Sequence, residues 1–281
     1  MKVTVIGASG FVGRHLVEAL RARGDQVATA SLRDPAGAAR ACDGADAVVN
    51  LAGEPVAQRW TPEVKEAIRA SRVDAARALL AQLGTLQAKP AAYVSASAIG
   101  YYGTSESETF TEASPPGHDF LAEVCSAWEA AAEGAAALGM RVAKIRTGLV
   151  LGTDGGALAK LLPLFRIGAG GIVASGAQWY SWIHVDDLSG IYLHALDGAG
   201  GALNATAPNP VRNAAFTQAL GKALHRPTFV PVPKAALEMM LGEGASVVAG
   251  GQRVLPERTL ESGYRFSYET IDAALAQLLG G

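Results

Sequence analysis

Lysine is scarce in this chain of 281 residues, which holds 7 lysines against 17 arginines. No lysine lies between Lys89 and Lys144, and none of the 7 tyrosines has a lysine four residues on. No helix can therefore present a tyrosine and a following lysine one turn apart on one face. Cysteine is nearly absent as well. Cys42 and Cys125 are far apart in sequence, which excludes a disulfide scaffold and suits a reducing, cytoplasmic setting. No apolar run approaches the roughly 18 residues of a membrane span, so no membrane partner is expected. The apolar run Val3–Ile6 stops at Gly7 and is too short for a signal-peptide core. There is no basic excess: Lys plus Arg is 24, Asp plus Glu is 26, and the formal net charge is -2. That balance argues against nucleic acid as a partner. The 5 histidines and 2 cysteines show no metal-ligand spacing, and no metal is expected. Repeats and low-complexity linkers are also missing.

What is present reads as a folded α/β chain. Apolar residues make up 49% and charged residues 18%, enough for one large domain or two small ones. Short apolar runs at Val3–Ile6, Gln26–Ala30, Ala47–Leu51, Ala92–Ser97 and Arg141–Ile145 read as strands. Between them lie helical patterns at Phe11–Arg23, from Thr61-Pro62 to about Leu83, and from Phe120 to Leu138. This alternation predicts a parallel sheet covered on both faces. After Leu151 glycine and proline become frequent. Helices are expected near Leu158–Ile167, Asp187–Leu196, Ala214–Leu224, Lys234–Leu241 and Thr270–Leu279, in a smaller lobe.

Gly7-Ala8-Ser9-Gly10-Phe11-Val12-Gly13 follows the first strand and opens the first helix. Gly7 permits a tight turn, Gly10 lets a pyrophosphate approach the backbone, and Gly13 lets helix and strand pack closely. The helix N-terminus offers unsatisfied N–H groups and the positive end of its dipole to the phosphates. In that context the motif predicts dinucleotide binding. An NAD site usually carries a carboxylate at the end of the second strand. Here the strand ends Ala30-Ser31-Leu32-Arg33, and Asp34 lies past the expected turn. Ser31 and Arg33 suit a 2′-phosphate, so NADP(H) is expected in preference to NAD(H).

The glycine spacing, Asn50-Leu51-Ala52-Gly53 closing one strand and Ser95-Ala96-Ser97 closing another resemble the extended short-chain dehydrogenase/reductase superfamily. Asn50–Pro55, Arg146–Gly152, Ser181–Asp187, Asn204–Asn209 and Gly251–Pro256 resemble its atypical epimerase-family branch, which is NAD-dependent epimerase/dehydratase-like. The resemblance spans nearly the whole chain and includes a distinctive C-terminal segment. It implies a Rossmann-type doubly wound parallel sheet over residues 1–151, completed by residues around 181–204. It implies a substrate lobe formed mostly by 152–281. The dinucleotide would lie across the C-terminal ends of the strands, near Gly7, Ser9, Gly10, Phe11, Val12, Gly13, Ser31, Arg33, Leu51, Ala52, Gly53, Ser95, Ala96 and Gly148.

Ordinary members of that superfamily use a helical tyrosine–lysine pair, in which lysine lowers the phenol pKa and tyrosine moves a proton. The matching positions here are Phe120 and Val124, which with Trp128 form an apolar stripe. Ser97 stands at the place of the usual serine, where its hydroxyl reads equally as a ligand contact or a local backbone bond. Tyr101, Tyr102, Glu54 and His184 are the other groups to weigh for proton transfer. Tyr101, Phe120, Gln178, Trp182, His184 and Arg253 are candidates for a substrate pocket, since aromatics with a few polar groups suit a small molecule. Against that, His184 and Trp182 also read as lobe-interface residues, Asp186 or Asp187 as a helix cap, and Arg253 as a partner of Glu257 or another acid. Two functions follow: an NADP(H)-dependent oxidoreductase or epimerase with a non-standard proton donor, or an NADP(H)-binding regulator with a protein partner, for example in cell division.

Overall fold

The computed structural model describes residues 1–280. Its centre is a six-stranded sheet of β1 (Lys2–Ile6), β2 (Gln26–Ala30), β3 (Ala47–Asn50), β4 (Ala92–Ala98), β5 (Arg141–Thr147) and β6 (Gly201–Ala205). The order is β6-β5-β4-β3-β1-β2, and every pairing is parallel. Val3, Val5, Ile6, Val48 and Val49 are buried on opposite faces, which explains the continuous apolar runs. The strand order reverses between β1 and β3, so a ligand crevice is expected outside their C-terminal ends.

Helices cover both faces. On one, Leu16 and Leu20 of α1 (Phe11–Ala22) meet Leu188 and Ile191 of α7 (Val185–Leu196). On the other, Ala38, Ala39 and Cys42 of α2 (Pro35–Cys42) meet Leu79 and Leu83 of α4 (Val73–Leu83) and Ala132 of α5 (Phe120–Glu133). A third core belongs to the second lobe. There Leu158, Leu162 and Phe165 of α6 (Gly156–Arg166) meet Trp182, Phe216 and Leu220 of α8 (Asn213–Ala223) and the C-terminal helix Ile271–Leu279.

Three departures from the sequence expectation bear on function. The pattern from Thr61 to Leu83 is two helices, α3 (Pro62–Ala70) and α4, broken at Ser71-Arg72. Ser71 Oγ donates to the Ile68 carbonyl and accepts from the Glu54 N–H, so the side chain competes locally with the helical ladder. Second, Ser31–Asp46 contains α2, started by Asp34 as N-cap and Pro35 at the first position. Third, short parallel pairs bind the lobes together: Leu149–Leu151 with Trp182–His184, and Thr109–Phe110 with Arg253–Val254. Among the described residues no helix is long and apolar enough to cross a membrane.

Candidate cofactor crevice

Gly7 turns the chain off β1 at φ +82°, and a Cβ there would lie 3.1 Å from the Leu51 carbonyl carbon. Gly13 is tighter: a Cβ would lie 2.3 Å from the Gly7 carbonyl oxygen and 2.7 Å from Ala8 Cα. Gly10 is the N-cap of α1, and no side chain caps that helix. Its first-turn N–H groups, on Phe11, Val12 and Gly13, therefore face an anion-binding position formed by backbone. A dinucleotide pyrophosphate fits this cradle. The Phe11 side chain has a separate task. Cβ atoms at Gly152, Gly155 and Gly156 would fall 2.5, 2.4 and 2.9 Å from its ring, so the ring nests in a glycine turn of the second lobe. Asp154 in that turn pairs with Arg14 at 3.1 Å and His15 at 2.9 Å. No local sequence pattern marks this clamp, since Arg14 and Asp154 are 140 positions apart.

At the end of β2, Ser31 and Arg33 are exposed, and Ser31 Oγ accepts the Arg33 N–H. Asp34 turns the other way: its carboxylate accepts the Gly37 N–H at 2.9 Å and lies 3.6 Å from Arg40. At the end of β3, Asn50 is buried. It donates to Tyr93 Oη and accepts the Ala52 N–H, which shapes the Leu51–Gly53 turn. Ser95 Oγ donates to the Ala96 carbonyl. Gly148 allows close packing, because a Cβ there would lie 2.2 Å from the Ser181 carbonyl oxygen.

The groups weighed for chemistry divide sharply. Ser97 Oγ donates to Glu129 Oε1 at 2.7 Å, and Glu129 receives a two-point contact from Arg146, at 2.8 and 2.9 Å. Arg146 also donates to Tyr102 Oη, which donates in turn to Asn204 Oδ1 at 2.6 Å. Ser97, Glu129, Arg146, Tyr102 and Asn204 are all buried, and burial pushes the Tyr102 phenol up to about 12. Of the two readings open for Ser97, a ligand contact or a local bond, the structure shows an internal bond, and Tyr102 shares the same polar chain. Glu129, the hub of that chain, was missed. Its only sequence signal is a lone carboxylate among the apolar residues of α5.

His184 is enclosed as well. It is 1% exposed, stacks on Tyr268 with ring centroids 3.9 Å apart, and accepts the Asp186 N–H at Nδ1. Nε2 then carries the proton and donates to Gln277 Oε1 at 2.9 Å. His184 therefore caps α7, the task expected of Asp186 or Asp187. The Asp187 carboxylate instead accepts the Ser267 and Tyr268 N–H groups. Trp182 is a core residue of the second lobe, with Nε1 donating to the Asn209 carbonyl. Gln178 is buried and donates to the Val173 carbonyl, which closes a turn. All three side chains are buried. Arg253 makes no ion pair with Glu257; it donates to Thr109 Oγ1 and lies 5.3 Å from the Trp179 ring, against which Arg212 also stacks.

Groups with unused polar atoms stay near the crevice. Tyr101 lies with its ring 3.5 Å from the Arg146 guanidinium carbon, and its hydroxyl has no hydrogen-bond partner among the described residues. Glu54 is exposed, and its carboxylate makes no ion pair among the described residues. Phe120 meets Trp60 edge-on at 5.0 Å, under Lys65, whose ammonium pairs with Glu243 of the second lobe. Val124 is buried. A cavity of about 720 Å³ lies elsewhere, between Tyr102 and Asp119, away from the glycine loop. Backbone geometry and unsatisfied groups, rather than that volume, make the crevice the candidate site.

Residues 3–205 match the family described as NAD dependent epimerase/dehydratase, and residues 232–278 match a domain of unknown function, DUF1731. A chloroplastic homolog of epimerase family protein SDR39U1 from Arabidopsis thaliana is 44% identical over 302 residues, covering 99% of this chain and 87% of that protein. The crystal structure of human epimerase family protein SDR39U1 with NADPH is similar at a TM-score of 0.93 and 34% identity, covering 100% of this chain and 99% of that one. A nucleoside-diphosphate sugar epimerase from Corynebacterium glutamicum is similar at a TM-score of 0.82 and 36% identity, covering 100% of this chain but 58% of that one.

Proposed function

This chain belongs to the NAD-dependent epimerase/dehydratase family, and from that premise we propose that it binds NADPH in preference to NADH and acts on a small molecule as an oxidoreductase or epimerase. The observation that carries the reading is the end of β2. It leaves a hydroxyl and a guanidinium exposed, while the one nearby carboxylate, Asp34, is turned into the N-terminus of α2. The human relative crystallised with NADPH supports the same choice.

The cofactor would supply hydride chemistry. The chain's own residues do the rest. The backbone of Gly10–Gly13 would hold the pyrophosphate, and Ser31 and Arg33 would hold the 2′-phosphate. Trp60 and Phe120, packed edge to face, would offer an apolar surface beside the cofactor. Tyr101 and Glu54 are the two proton-bearing candidates with unused atoms, and either can serve a reacting oxygen.

Fluorescence titration with NADPH and NADH tests the preference. Arg33→Ala removes a charge-assisted phosphate contact worth about 1.5–3 kcal/mol. It is expected to raise the Kd for NADPH roughly tenfold or more, with little change for NADH. A wild-type site that is tighter for NADH would overturn the preference. Turnover is tested by NADPH oxidation across carbonyl and sugar-nucleotide compounds, repeated with Tyr101→Phe and Glu54→Gln.

A second reading has its own support. Phe120 and Val124 carry no proton and no charge, and Ser97 and Tyr102 are held in a buried chain. NADPH binding that changes affinity for a protein partner, without turnover, fits those facts. Tight NADPH binding with no oxidation across the whole screen would favour it.

A further inference from the structure

Among the described residues seven large apolar side chains are exposed, and six of them lie in the second lobe: Leu164, Ile167, Phe229, Val230, Met239 and Met240. They cluster at one end of that lobe. Leu164 and Ile167 are at the end of α6, where the Arg166 carbonyl accepts Arg226 Nε at 2.8 Å. Gly171 bridges to Phe229 and Val173 to Val232, which sets Phe229 and Val230 beside that end. Helix α9 (Lys234–Leu241) follows at once and carries Met239 and Met240. At 47–87% exposure the six residues present on the order of 700 Å², against roughly 300–600 Å² for the largest apolar patch of a typical monomer.

Helix α9 is the part of this face that needs a cover. It has 8 residues and none of them is buried. Helices shorter than about 12–15 residues are marginal in water and depend on packing. Its ties to the first lobe are gathered at its C-terminal end. The Met239 carbonyl accepts Arg59 Nη1 at 3.0 Å, and the Leu241 carbonyl accepts the Trp60 N–H at 3.4 Å. Glu243, just beyond, pairs with Lys65. Ala235, Ala236, Met239 and Met240 are all exposed, so the apolar face of the helix has no cover within the chain.

Charge and area indicate what covers it. Lys234 and Glu238 are the only charged residues of α9, and each is two positions from Ala236. They meet within the chain at 3.4 Å, so both lie on one stripe of the helix. A second α9 laid antiparallel across a two-fold axis at Ala236 sets Lys234 against Glu238 of the partner subunit, and the reverse. Such a surface is complementary to itself, as an isologous contact requires. The patch also approaches the roughly 800 Å² that each partner gives to a standard stable interface. The helix carries no net charge, so nothing on it selects an anionic lipid surface. On the outer faces of α3 and α4, by contrast, Glu66, Arg69, Asp74 and Arg77 pair with one another.

We propose that this face is the interface of a homodimer, in which α9 packs antiparallel on α9 of a second copy and Phe229 and Ile167 extend the contact toward α6. Because the C-terminal end of α9 rests on Arg59 and Trp60, the contact also braces the loop after β3 in each subunit. The interface is independent of which dinucleotide is bound.

Sedimentation velocity of the full chain at micromolar concentrations is the test, and a species of twice the mass of one chain is expected. Phe229→Glu combined with Met239→Glu puts charge into the contact and should leave a folded monomer, since both residues are exposed. Lys234→Glu alone, or Glu238→Lys alone, sets like charges together and should raise the dimer Kd roughly tenfold. An equimolar mixture of those two single variants should dimerise as the wild type does, because every charge then meets its opposite. The charge variants keep the apolar face intact and decide the matter if the Phe229–Met239 variant fails to fold. A wild-type monomer overturns the proposal, and its capture by phosphatidylglycerol vesicles would assign the face to lipid. A dimer that persists in the folded Phe229–Met239 variant also overturns it, because the contact then lies elsewhere. A dimer indifferent to both single charge reversals overturns the antiparallel packing of α9.

Discussion

Gly13→Ala is expected to abolish useful NADPH binding. In a helix interior the same change normally stabilises by about 1 kcal/mol, because glycine is the costlier residue there. Here the added methyl would sit 2.3 Å from the Gly7 carbonyl oxygen and 2.7 Å from Ala8 Cα. Both neighbours are backbone, and neither can swing aside. The first turn of α1 must move away from β1, which breaks up the row of N–H groups that holds the pyrophosphate. A rise of roughly a hundredfold in the NADPH Kd, about 2.7 kcal/mol, is the expected result, together with a lower melting temperature. Titration and thermal melting read these separately. Near-native affinity would mean that the cradle tolerates a shifted helix, and that the glycine serves packing alone.

The second large effect is on stability. Arg146→Met leaves the Glu129 carboxylate buried with only Ser97 donating to it. Removing one partner of a buried ion pair typically costs about 3–5 kcal/mol, because the remaining charge is stranded. The urea midpoint should fall accordingly. Adding Glu129→Gln should return part of the loss, since the double variant strands no charge. Additive destabilisation in the double variant would show that the pair is not the energetic unit. The Arg146 guanidinium is also the surface on which Tyr101 rests, so the single variant should loosen that candidate donor.

The sheet was readable from sequence because fully buried parallel strands are written as continuous apolar runs, each closed by glycine or a polar turn. Val3–Ile6 and Ala47–Leu51 are of this kind. The glycine loop was readable because its demands are local and steric. Helix α2 was overlooked in an alanine-rich stretch, although Asp34-Pro35 carries the same cap-and-proline start as Thr61-Pro62. The break at Ser71-Arg72 had no local signature. Its cause is a contact with Glu54, seventeen positions away in sequence. The histidine and glutamine of the second lobe are ambiguous in sequence for a related reason. An imidazole can act as an acid, a base or a helix cap, and only tertiary placement chooses. His184 acquires its role from Asp186, Tyr268 and Gln277, the last of which is 93 residues distant. Glu129 was hidden because a buried carboxylate is legible only when its arginine partner is known.

The strand pair Thr109–Phe110 with Arg253–Val254 has a consequence for how the protein is made. Five of the six sheet strands have left the ribosome once Thr147 emerges. Glu112, however, accepts hydrogen bonds from the N–H groups of Asn204, Arg258 and Thr259. The Tyr102–Asn204 end of the buried polar chain also waits for β6. A nascent chain therefore holds a nearly complete sheet with an open edge and an uncapped polar interior until about residue 261 is available. Domains fold from the N-terminus during synthesis, and exposed strand edges are where they aggregate. Chains cut short before Arg253 should retain most of the sheet sequence yet accumulate as insoluble material, because residues 253–259, far downstream of the first five strands, seal the first lobe.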